Sequence, residues 1–274
     1  ILKKLKFESI DLVITNFYPF KKTILETTNH KKIIENIDIG GPTLVRSAAK
    51  NYQYVAVITR IGQYKNLIDE LNLNNGRTSL KFREQLSREA FMETANYDTT
   101  IYNYFNNISK IDIPDKLIFN GNLIQKLRYG ENPHQFAAIY SNNDKFRLEK
   151  LHGKDLSYNN YNDIFACLKL SKNLPKNRGV VIVKHMNPSG VSIEKNHIKS
   201  YQSAMNCDPI SAFGGILACN FKLSYSVASE ITKNYYEVVI ANGFEKNAIN
   251  LLKKKKNLRL IDSSKIKLNN NINI

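Results

Sequence analysis

The chain has 274 residues, of which 42% are hydrophobic and 23% charged, a balance that supports a packed core and excludes global disorder. Lysine and arginine outnumber aspartate and glutamate by 40 to 24, which gives a formal net charge of +16. No run approaches the roughly 18 apolar residues that a membrane-spanning helix needs, and no signal-peptide pattern is present. The three cysteines, Cys167, Cys207 and Cys219, lack metal-type spacing and fit a reducing cytoplasm better than a disulfide framework.

The first third of the chain alternates predicted strands and helices. The predicted elements are, in order, a strand at 10–17, a helix at 31–36, a helix at 43–51 opened by Pro42, a strand at 54–59 and a helix at 63–73. Residues 78–107 follow as a mainly helical stretch. Strand–helix–strand alternation is typical of a parallel sheet covered by helices.

A polar segment at 109–116 separates this block from a second one. We therefore predict two α/β domains, one over 1–112 and one over 113–274. The predicted elements of the second block are strands at 117–121, 123–130 and 136–141, a helix at 163–170, a strand at 180–185, a helix at 199–205 and a strand at 214–220. The Asn-Pro-Ser-Gly stretch at 187–190 predicts a turn after the strand at 180–185.

Polar residues interrupt the ends of apolar elements in the first block, in the motifs TNFYPF (15–20) and IDIGGPTLVRSAAKN (37–51). Ligands in open α/β sheets gather at the carboxyl ends of strands, where Asn16 and Tyr18 are expected. The glycines after Asp38 allow close approach of the backbone to a ligand. The alternative interpretation is that Gly-Gly-Pro only starts a helix and that Lys50 is a surface cation.

Three comparable motifs occur in the second block: LRYGENPHQ (127–135), KHMNPSG (184–190) and CDPISAFGG (207–215). A histidine near neutral pKa can accept a proton from a weak nucleophile, and an adjacent lysine can stabilise an oxyanion, so Lys184 and His185 are candidates. Alternation along a strand sends neighbouring side chains to opposite faces, so the following turn must redirect one of them. The alternative is a surface pair at a strand end.

Two other features favour structural interpretations. SYNNYN, at 157–162, is typical of a turn and a helix start rather than of a site. Cys167, on the apolar face of a predicted helix, is expected to be a core residue.

Six motifs together resemble one family. In chain order they are TNFYPF, ENIDIGGPTLVRSAAKNY, LRYGENPHQ, GKDLSYNNYND, VKHMNPSG and CDPISAFGGILA. The same order is found in the bifunctional AICAR transformylase/IMP cyclohydrolase enzymes of purine synthesis, and the resemblance runs from Asp11 to about Leu260. It implies a partial methylglyoxal-synthase-like parallel-sheet domain followed by a partial cytidine-deaminase-like α/β transformylase domain.

The resemblance implies formyl transfer from 10-formyltetrahydrofolate, a co-substrate, to the 5-amino group of AICAR. The lone pair of that amine is conjugated with the imidazole carboxamide, so a base must remove its proton as the C–N bond forms. His185 matches this base, Lys184 matches the residue that stabilises the formyl oxygen, and Asn187 is expected to orient the pair. The residues that match substrate contacts are Arg128, Tyr129, Gly214 and Glu237, and an arginine suits the 5′-phosphate.

The second implied reaction is the cyclodehydration of formyl-AICAR to IMP. By the same resemblance Lys50 is the proton-transfer residue, with Asp38 and Tyr18 as its partners. The matching nucleotide contacts are Thr15, Asn16 and Ile39. The attack is intramolecular, so its effective concentration is already high and the site has mainly to orient the substrate.

The resemblance also implies a cytoplasmic homodimer, whose transformylase sites use residues from both subunits, with no metal, nucleic-acid or membrane partner. The sequence contains no Cys-x-x-Cys pair that could hold a zinc ion. Because the family's domains extend before Ile1 and beyond Ile274, we expect the intact protein to be bifunctional and this chain alone to be weak or inactive.

The positive charge supports a competing hypothesis, since a basic surface attracts nucleic-acid phosphates as well as a small phosphorylated substrate. The lysines are scattered, and their longest run is at 253–256. The sequence has no recognised nucleic-acid-binding module. A basic nucleic-acid-binding protein, or a degenerate paralogue without catalysis, therefore stays as the alternative.

Overall fold

The structure, a computed structural model, describes residues 8–142 and 148–266. It is a mixed α/β architecture that contains both parallel and antiparallel strand pairs. The chain divides into two compact units between Asn120 and Gly121, a little C-terminal to the predicted boundary near 112.

The first unit contains a two-stranded parallel sheet, β1 (Leu12–Ile14) and β2 (Ala56–Ile58). Its helices are α1 (Phe20–Glu26), α2 (His30–Glu35), α3 (Gly40–Lys50), α4 (Tyr64–Leu73), which follows a 3₁₀ turn at Ile61–Gln63, and α5 (Leu80–Ile108). The core joins β2 to α3 and α5 through side chains such as Val45, Val57 and Leu86. Helices thus connect and cover parallel strands, as the alternating pattern predicts.

The second unit contains a six-stranded mixed sheet and a separate antiparallel pair. The strands are β3 (Asn122–Lys126), β4 (Ala138–Ser141), β5 (Glu149–His152), β6 (Gly179–Lys184), β7 (Asn187–Ile193), β8 (Ile216–Cys219), β9 (Val238–Ala241) and β10 (Arg259–Asp262). The large sheet has the order β5-β10-β9-β8-β6-β7, and β3 pairs with β4. Strands β8, β9 and β10 are parallel, whereas β5, β6 and β7 pair in the antiparallel sense.

Helices cover both faces of the large sheet. They are α6 (Tyr158–Asn173), α7 (His197–Cys207), α8 (Pro209–Ala212), α9 (Tyr225–Thr232) and α10 (Lys246–Leu252). Strand β6 is buried on both sides: Val180 and Ile182 contribute to the core under α7 and α9, and Val181 and Val183 contribute to the core under α6. Cys167 of α6 is fully buried in the second core, which confirms that it is a core residue.

The prediction of a turn at 187–190 is wrong, because these residues open strand β7. β7 is an edge strand, where Pro188 is tolerated since the missing N–H costs no central ladder bond. Gly190 serves close packing rather than a turn: a Cβ there would overlap the backbone oxygen of Ala204 in α7. The turn lies earlier, at His185 and Met186.

The predicted strand at 117–121 is also wrong, since the strand that forms in this part of the described chain begins at Asn122. Leu117 and Phe119 are apolar, which suggests a buried strand, but both side chains are exposed and are not packed in a sheet. The helices predicted at 163–170 and 199–205 are present and longer, as α6 and α7.

Candidate functional site

The strand register aligns several chain segments at one edge of the six-stranded sheet. Val183 is paired with Ile216, Ile216 with Val238, and Val238 with Arg259. The predicted site residues that flank these pairs along the chain are Lys184, Gly214 and Glu237. Residues from distant parts of the sequence therefore meet at the ends of β6, β8, β9 and β10.

Lys184 and His185 stand at a tight turn between β6 and β7. Lys184 is paired with Asn187, so the turn contains only His185 and Met186. Both turn residues have positive φ, 52° and 63°, as a type I′ hairpin turn requires. This conformation is uncommon for residues other than glycine, and it carries His185 out of the strand into an exposed position. The turn thus performs the redirection that the sequence pattern requires.

Three hydrogen bonds that involve a side chain act at the tip of this hairpin. The Met186 backbone N–H donates to Asp163 Oδ1 of α6 (2.6 Å), and Asn187 Nδ2 donates to the His185 carbonyl (2.9 Å). Lys184 Nζ donates to the carbonyl oxygen of Phe213 (2.9 Å). Asp163 and Phe213 were not predicted as site residues, and only the tertiary structure brings them here.

The charge of Lys184 also acts on Asp208. Asp208 Oδ1 accepts a hydrogen bond from the Ser211 N–H at the start of α8 (2.9 Å). Hydrogen bonds from Ser211 hold the pKa of Asp208 below its ordinary value, and the Lys184 ammonium lowers it further. An anionic side chain therefore accompanies Lys184 at this edge of the sheet.

Glu237 is held by two groups from other elements. Asn160 Nδ2 donates to Glu237 Oε2 (2.9 Å), and an Arg259 guanidinium nitrogen lies 3.6 Å from the same oxygen. Ser157 caps α6 in a capping box with Asn160, which confirms the predicted helix start. The same segment nevertheless supplies Asn160 to the site, a role that its sequence does not indicate.

A cavity of about 550 Å³ opens next to these residues and carries two of the predicted contacts, Arg128 and Tyr129. The Arg128 guanidinium lies over the Tyr129 ring, 5.4 Å from its centroid. The charged side chains that line the cavity are Lys126, Arg128, Lys154, Asp155 and Arg259. Four cations against one carboxylate make this cavity favourable for an anion. Lys184 and His185 are not among its lining residues.

In the first unit, Asp38 lies just before α3, and both of its carboxylate oxygens accept hydrogen bonds. Oδ1 accepts the Gly41 N–H (2.8 Å) and Oδ2 accepts the Tyr18 N–H (3.3 Å). The Asp38 N–H donates to the hydroxyl of Tyr97 in α5 (2.8 Å). The structure thus joins the predicted pair Asp38 and Tyr18, and it adds Tyr97, which the sequence alone did not single out.

Tyr97 is largely buried and lines a second cavity, of about 240 Å³, together with Asn16 and Tyr18. Its hydroxyl donates to the Asn36 carbonyl (3.3 Å). Burial raises the pKa of Tyr97; the hydrogen bond from Asp38 opposes this, and the negative charge of Asp38 adds to it. The phenol therefore stays protonated and links two backbone segments on either side of Ile37.

The other predicted residues of this unit are more dispersed. Thr15 N–H donates to the Ile58 carbonyl (2.9 Å), which continues the β1–β2 pairing, and Asn16 Nδ2 donates to the Tyr64 hydroxyl (3.0 Å). Ile39 is 73% exposed. Lys50 is the last residue of α3, so a rise of 1.5 Å per residue separates its backbone from Gly40 by about 15 Å. The structure does not bring Lys50 to Asp38.

Within the described residues, no group of three or more His, Cys, Asp or Glu side chains is arranged to hold a metal ion. None of the helices described combines the length and the apolar character needed to cross a bilayer.

Comparison with known proteins decides the family. The family model described as the AICARFT/IMPCHase bienzyme matches residues 48–273, well over half of the chain. The chain belongs to the AICARFT/IMPCHase bienzyme family. The resemblance that the six motifs carry is thereby confirmed.

Individual members of the bienzyme family agree with this match. The bifunctional purine biosynthesis protein PurH of Bradyrhizobium diazoefficiens is 46% identical over 92% of this chain and 49% of its own length. The proteins of the same name from Thermoanaerobacter sp. and Bartonella tribocorum are 45% and 44% identical, each over 95% of this chain. The chain spans about half the length of these curated relatives. A crystal structure of ForH superposes with a TM-score of only 0.31 over 38% of this chain, at 26% identity, too weak a likeness to support an argument.

Membership in the bienzyme family does not assign roles to single residues. The geometry groups Lys184, His185 and Asn187 in one hairpin, and Asp38 with Tyr18 in the other unit. The roles of all predicted site residues stay predictions.

Proposed function

We propose that the protein containing this chain catalyses the last two steps of purine-nucleotide synthesis, formylation of AICAR and closure of formyl-AICAR to IMP. The observation that carries this proposal is the two-residue turn that projects His185 beside Lys184 at the sheet edge. Membership in the AICARFT/IMPCHase bienzyme family supports it.

In the proposed formyl transfer, His185 accepts the proton of the AICAR 5-amino group while the nitrogen bonds to the formyl carbon. The bond from the formyl carbon to N10 of tetrahydrofolate then breaks, and N10 takes up a proton. An exposed imidazole suits this role because a ring nitrogen can accept the proton and release it to solvent after the transfer.

Lys184 stabilises the negative charge that develops on the formyl oxygen. An ammonium has three N–H donors, and the bond to the Phe213 carbonyl uses one of them. Two donors stay available, and the bond to Phe213 fixes the direction of the side chain. A donor fixed in advance stabilises an oxyanion without reorganisation during the reaction.

Arg128 and Tyr129 bind AICAR in the cationic cavity, where the Arg128 guanidinium suits the 5′-phosphate. Gly214 has a positive φ of 74°, a conformation that glycine adopts without strain, and it allows the backbone to approach the substrate. Glu237 accepts hydrogen bonds from the nucleotide, with its carboxylate oriented by Asn160 and Arg259. The co-substrate is 10-formyltetrahydrofolate, and no metal is required.

In the proposed cyclisation, the first unit binds formyl-AICAR near Thr15, Asn16 and Ile39. Lys50 is the proton-transfer residue with Asp38 and Tyr18 as its partners, and the hydrogen bond from the Tyr18 backbone N–H to the Asp38 carboxylate supports the pairing of these two partners. Lys50 is assigned by the resemblance alone, since α3 separates it from Asp38. Because the assignment of Lys50 rests on the resemblance alone, substitution of Lys50 is the sharper test of the proposed cyclohydrolase site.

The assignment extends to fold and assembly. We assign the cyclohydrolase to the first unit, as a partial methylglyoxal-synthase-like domain, and the transformylase to the second, as a partial cytidine-deaminase-like domain. The functional form is a cytoplasmic homodimer without nucleic-acid or membrane partners. The division of the chain after Asn120 supports two domains.

The test is product analysis by mass spectrometry with the complete reading frame that encodes this chain, supplied with AICAR and 10-formyltetrahydrofolate. The wild type is expected to make IMP. His185→Ala is expected to leave AICAR largely unconverted, because loss of a general base slows the reaction by roughly 100- to 10,000-fold. Lys50→Ala is expected to accumulate formyl-AICAR, whereas Lys31→Ala, at an exposed helical position of the same unit, is expected to behave as wild type.

A wild-type protein that forms neither formyl-AICAR nor IMP would overturn the proposal and favour the nucleic-acid-binding or degenerate alternative. Normal IMP formation by Lys50→Ala would remove Lys50 from the cyclohydrolase site while leaving the two activities in place.

A further inference from the structure

The turn that presents His185 is not specified by its own sequence. Type I′ turns favour Asn-Gly or similar pairs because both central residues need positive φ. Here the pair is His-Met, and both residues adopt that conformation, at 52° and 63°. Contacts from elsewhere in the fold must therefore hold the turn.

Asp163 provides such a contact. Its Oδ1 accepts the Met186 N–H at 2.6 Å, a short hydrogen bond to a side-chain carboxyl oxygen. The bond crosses 23 residues of sequence and joins helix α6 to the tip of the β6–β7 hairpin. It acts on the backbone of the residue next to His185, without using the imidazole itself.

The position of Asp163 is itself fixed. The next residue, Ile164, is fully buried against the sheet. One turn later, Cys167 Sγ lies 3.5 Å from the carbonyl oxygen of Val181 in β6. Helix α6 thus packs directly on the strand that carries Lys184. The carboxylate is held in register with the turn by the core of the unit.

We propose that Asp163 is a positioning residue for formyl transfer, which holds the His185–Met186 turn in its positive-φ conformation and so places the imidazole. This inference rests on the proposed function of His185. It assigns to the GKDLSYNNYND motif a role through its last residue, beyond starting a helix.

The test measures kcat and KM for formyl transfer with the complete protein. Asp163→Ala is expected to lower kcat by roughly 10- to 100-fold, since small misplacement of a reacting group costs that much, with little change in KM for AICAR. Asp163→Asn retains an acceptor oxygen and is expected to keep most of the activity. Asn159→Ala, an exposed position on the same helix, serves as the matched control.

A rescue separates positioning from general damage. Glycine adopts positive φ without strain, so Met186→Gly in the Asp163→Ala background is expected to restore kcat at least in part. The ring closure of supplied formyl-AICAR is expected to be unchanged in every variant. Unchanged kcat in Asp163→Ala would overturn the inference. So would an equal loss of kcat in Asp163→Asn together with a failure of the added Met186→Gly substitution to restore any activity.

Amide hydrogen exchange of the wild type gives a readout that needs no folded variant. The Met186 amide is expected to be protected, because its N–H is bonded to Asp163. Exchange of that amide at the rate of a free loop residue would refute the inference even if Asp163→Ala does not fold. If instead the wild type transfers no formyl group, the proposed function fails first, and the exchange measurement still decides whether Asp163 holds the turn.

Discussion

Glu89 illustrates how hydrogen bonds can outweigh burial at a single residue. Its side chain is 20% exposed and accepts bonds from Arg60 (2.6 Å), Gln63 (2.7 Å) and Gln85 (2.9 Å). Burial raises the pKa of Glu89, but these three partners lower it by more, so the net pKa lies below the ordinary value of 4.5. The ionised form is therefore the one that stabilises the first unit.

This cluster predicts a pH-dependent contribution to stability. A carboxylate whose pKa is lower in the folded state stabilises the protein above its unfolded pKa, and the contribution is lost as pH falls through the folded pKa. Glu89→Gln is expected to cost about 1–3 kcal/mol at neutral pH, since a half-buried charged acceptor of three hydrogen bonds becomes a neutral amide with one acceptor oxygen. The difference from wild type is expected to shrink below pH 4.5. Urea unfolding at neutral and acid pH measures it.

The control for this prediction is Glu84→Gln, at an exposed position on the same helix. It is expected to change stability by less than about 0.5 kcal/mol, as surface substitutions usually do. A Glu89→Gln deficit that stays constant from neutral to acid pH would rule out ionisation as its source.

At the scale of elements, the start of α3 depends on one glycine of the Gly-Gly pair. A Cβ on Gly41 would lie 2.5 Å from Asp38 Oδ2, and that carboxylate is already bound to the backbone of Tyr18 and of Gly41 itself. The adjacent Gly40 has no atom within 4 Å of such a Cβ. The two glycines thus differ in what an alanine would meet.

We predict that Gly41→Ala displaces Asp38, lowers the melting temperature and reduces ring closure of formyl-AICAR by roughly tenfold or more, the scale on which misplaced groups act. Gly40→Ala is the matched control and is expected to be neutral or to stabilise by about 0.4–1 kcal/mol through chain entropy. Thermal unfolding and the cyclisation assay measure both variants. Equal behaviour of the two alanine variants would show that Asp38 can relocate freely.

The hairpin shows where local sequence stops predicting elements. Asn-Pro-Ser-Gly has strong turn chemistry, but β7 uses Pro188 at a sheet edge and Gly190 for the approach of α7. The actual turn, His185–Met186, has no turn signature, because its conformation is imposed by tertiary contacts. Buried strands and long helices could be predicted from periodicity, whereas this register could not.

The same limit applies to the candidate site. Polar residues at the ends of apolar elements, such as His185 and Asp38, are candidates that the sequence alone predicts. Asp163, Asn160 and Tyr97 are not, because their partners lie 23, 77 and 59 residues away along the chain. A carboxylate or phenol that acts across such a distance has no local pattern to mark it.

At the scale of the whole molecule, the net charge of +16 favours binding of either a small nucleotide or a nucleic-acid polyanion. The dependence of binding on salt concentration distinguishes these two ligands. Binding of single-stranded nucleic acid releases counterions from each contacted phosphate. The logarithm of the binding constant therefore falls with the logarithm of the salt concentration, with a slope of about −0.7 per contacted phosphate. AICAR carries one phosphate, so its binding changes far less with salt. The cationic cavity around Arg128 favours binding of a small phosphorylated ligand.

We therefore predict that AICAR raises the melting temperature of the complete protein at both about 50 mM and about 200 mM salt, whereas a random oligonucleotide does so only at the lower concentration. Arg128→Ala is expected to reduce the AICAR shift at both concentrations and to leave the oligonucleotide shift almost unchanged, because one cation of a dispersed set is lost. An oligonucleotide shift that persists at the higher salt, together with no AICAR shift at either salt concentration, would favour nucleic-acid binding. If Arg128→Ala keeps the full AICAR shift, Arg128 does not bind the phosphate and other cations must do so. The reason is that the methyl group of alanine cannot make the contacts of a guanidinium with phosphate.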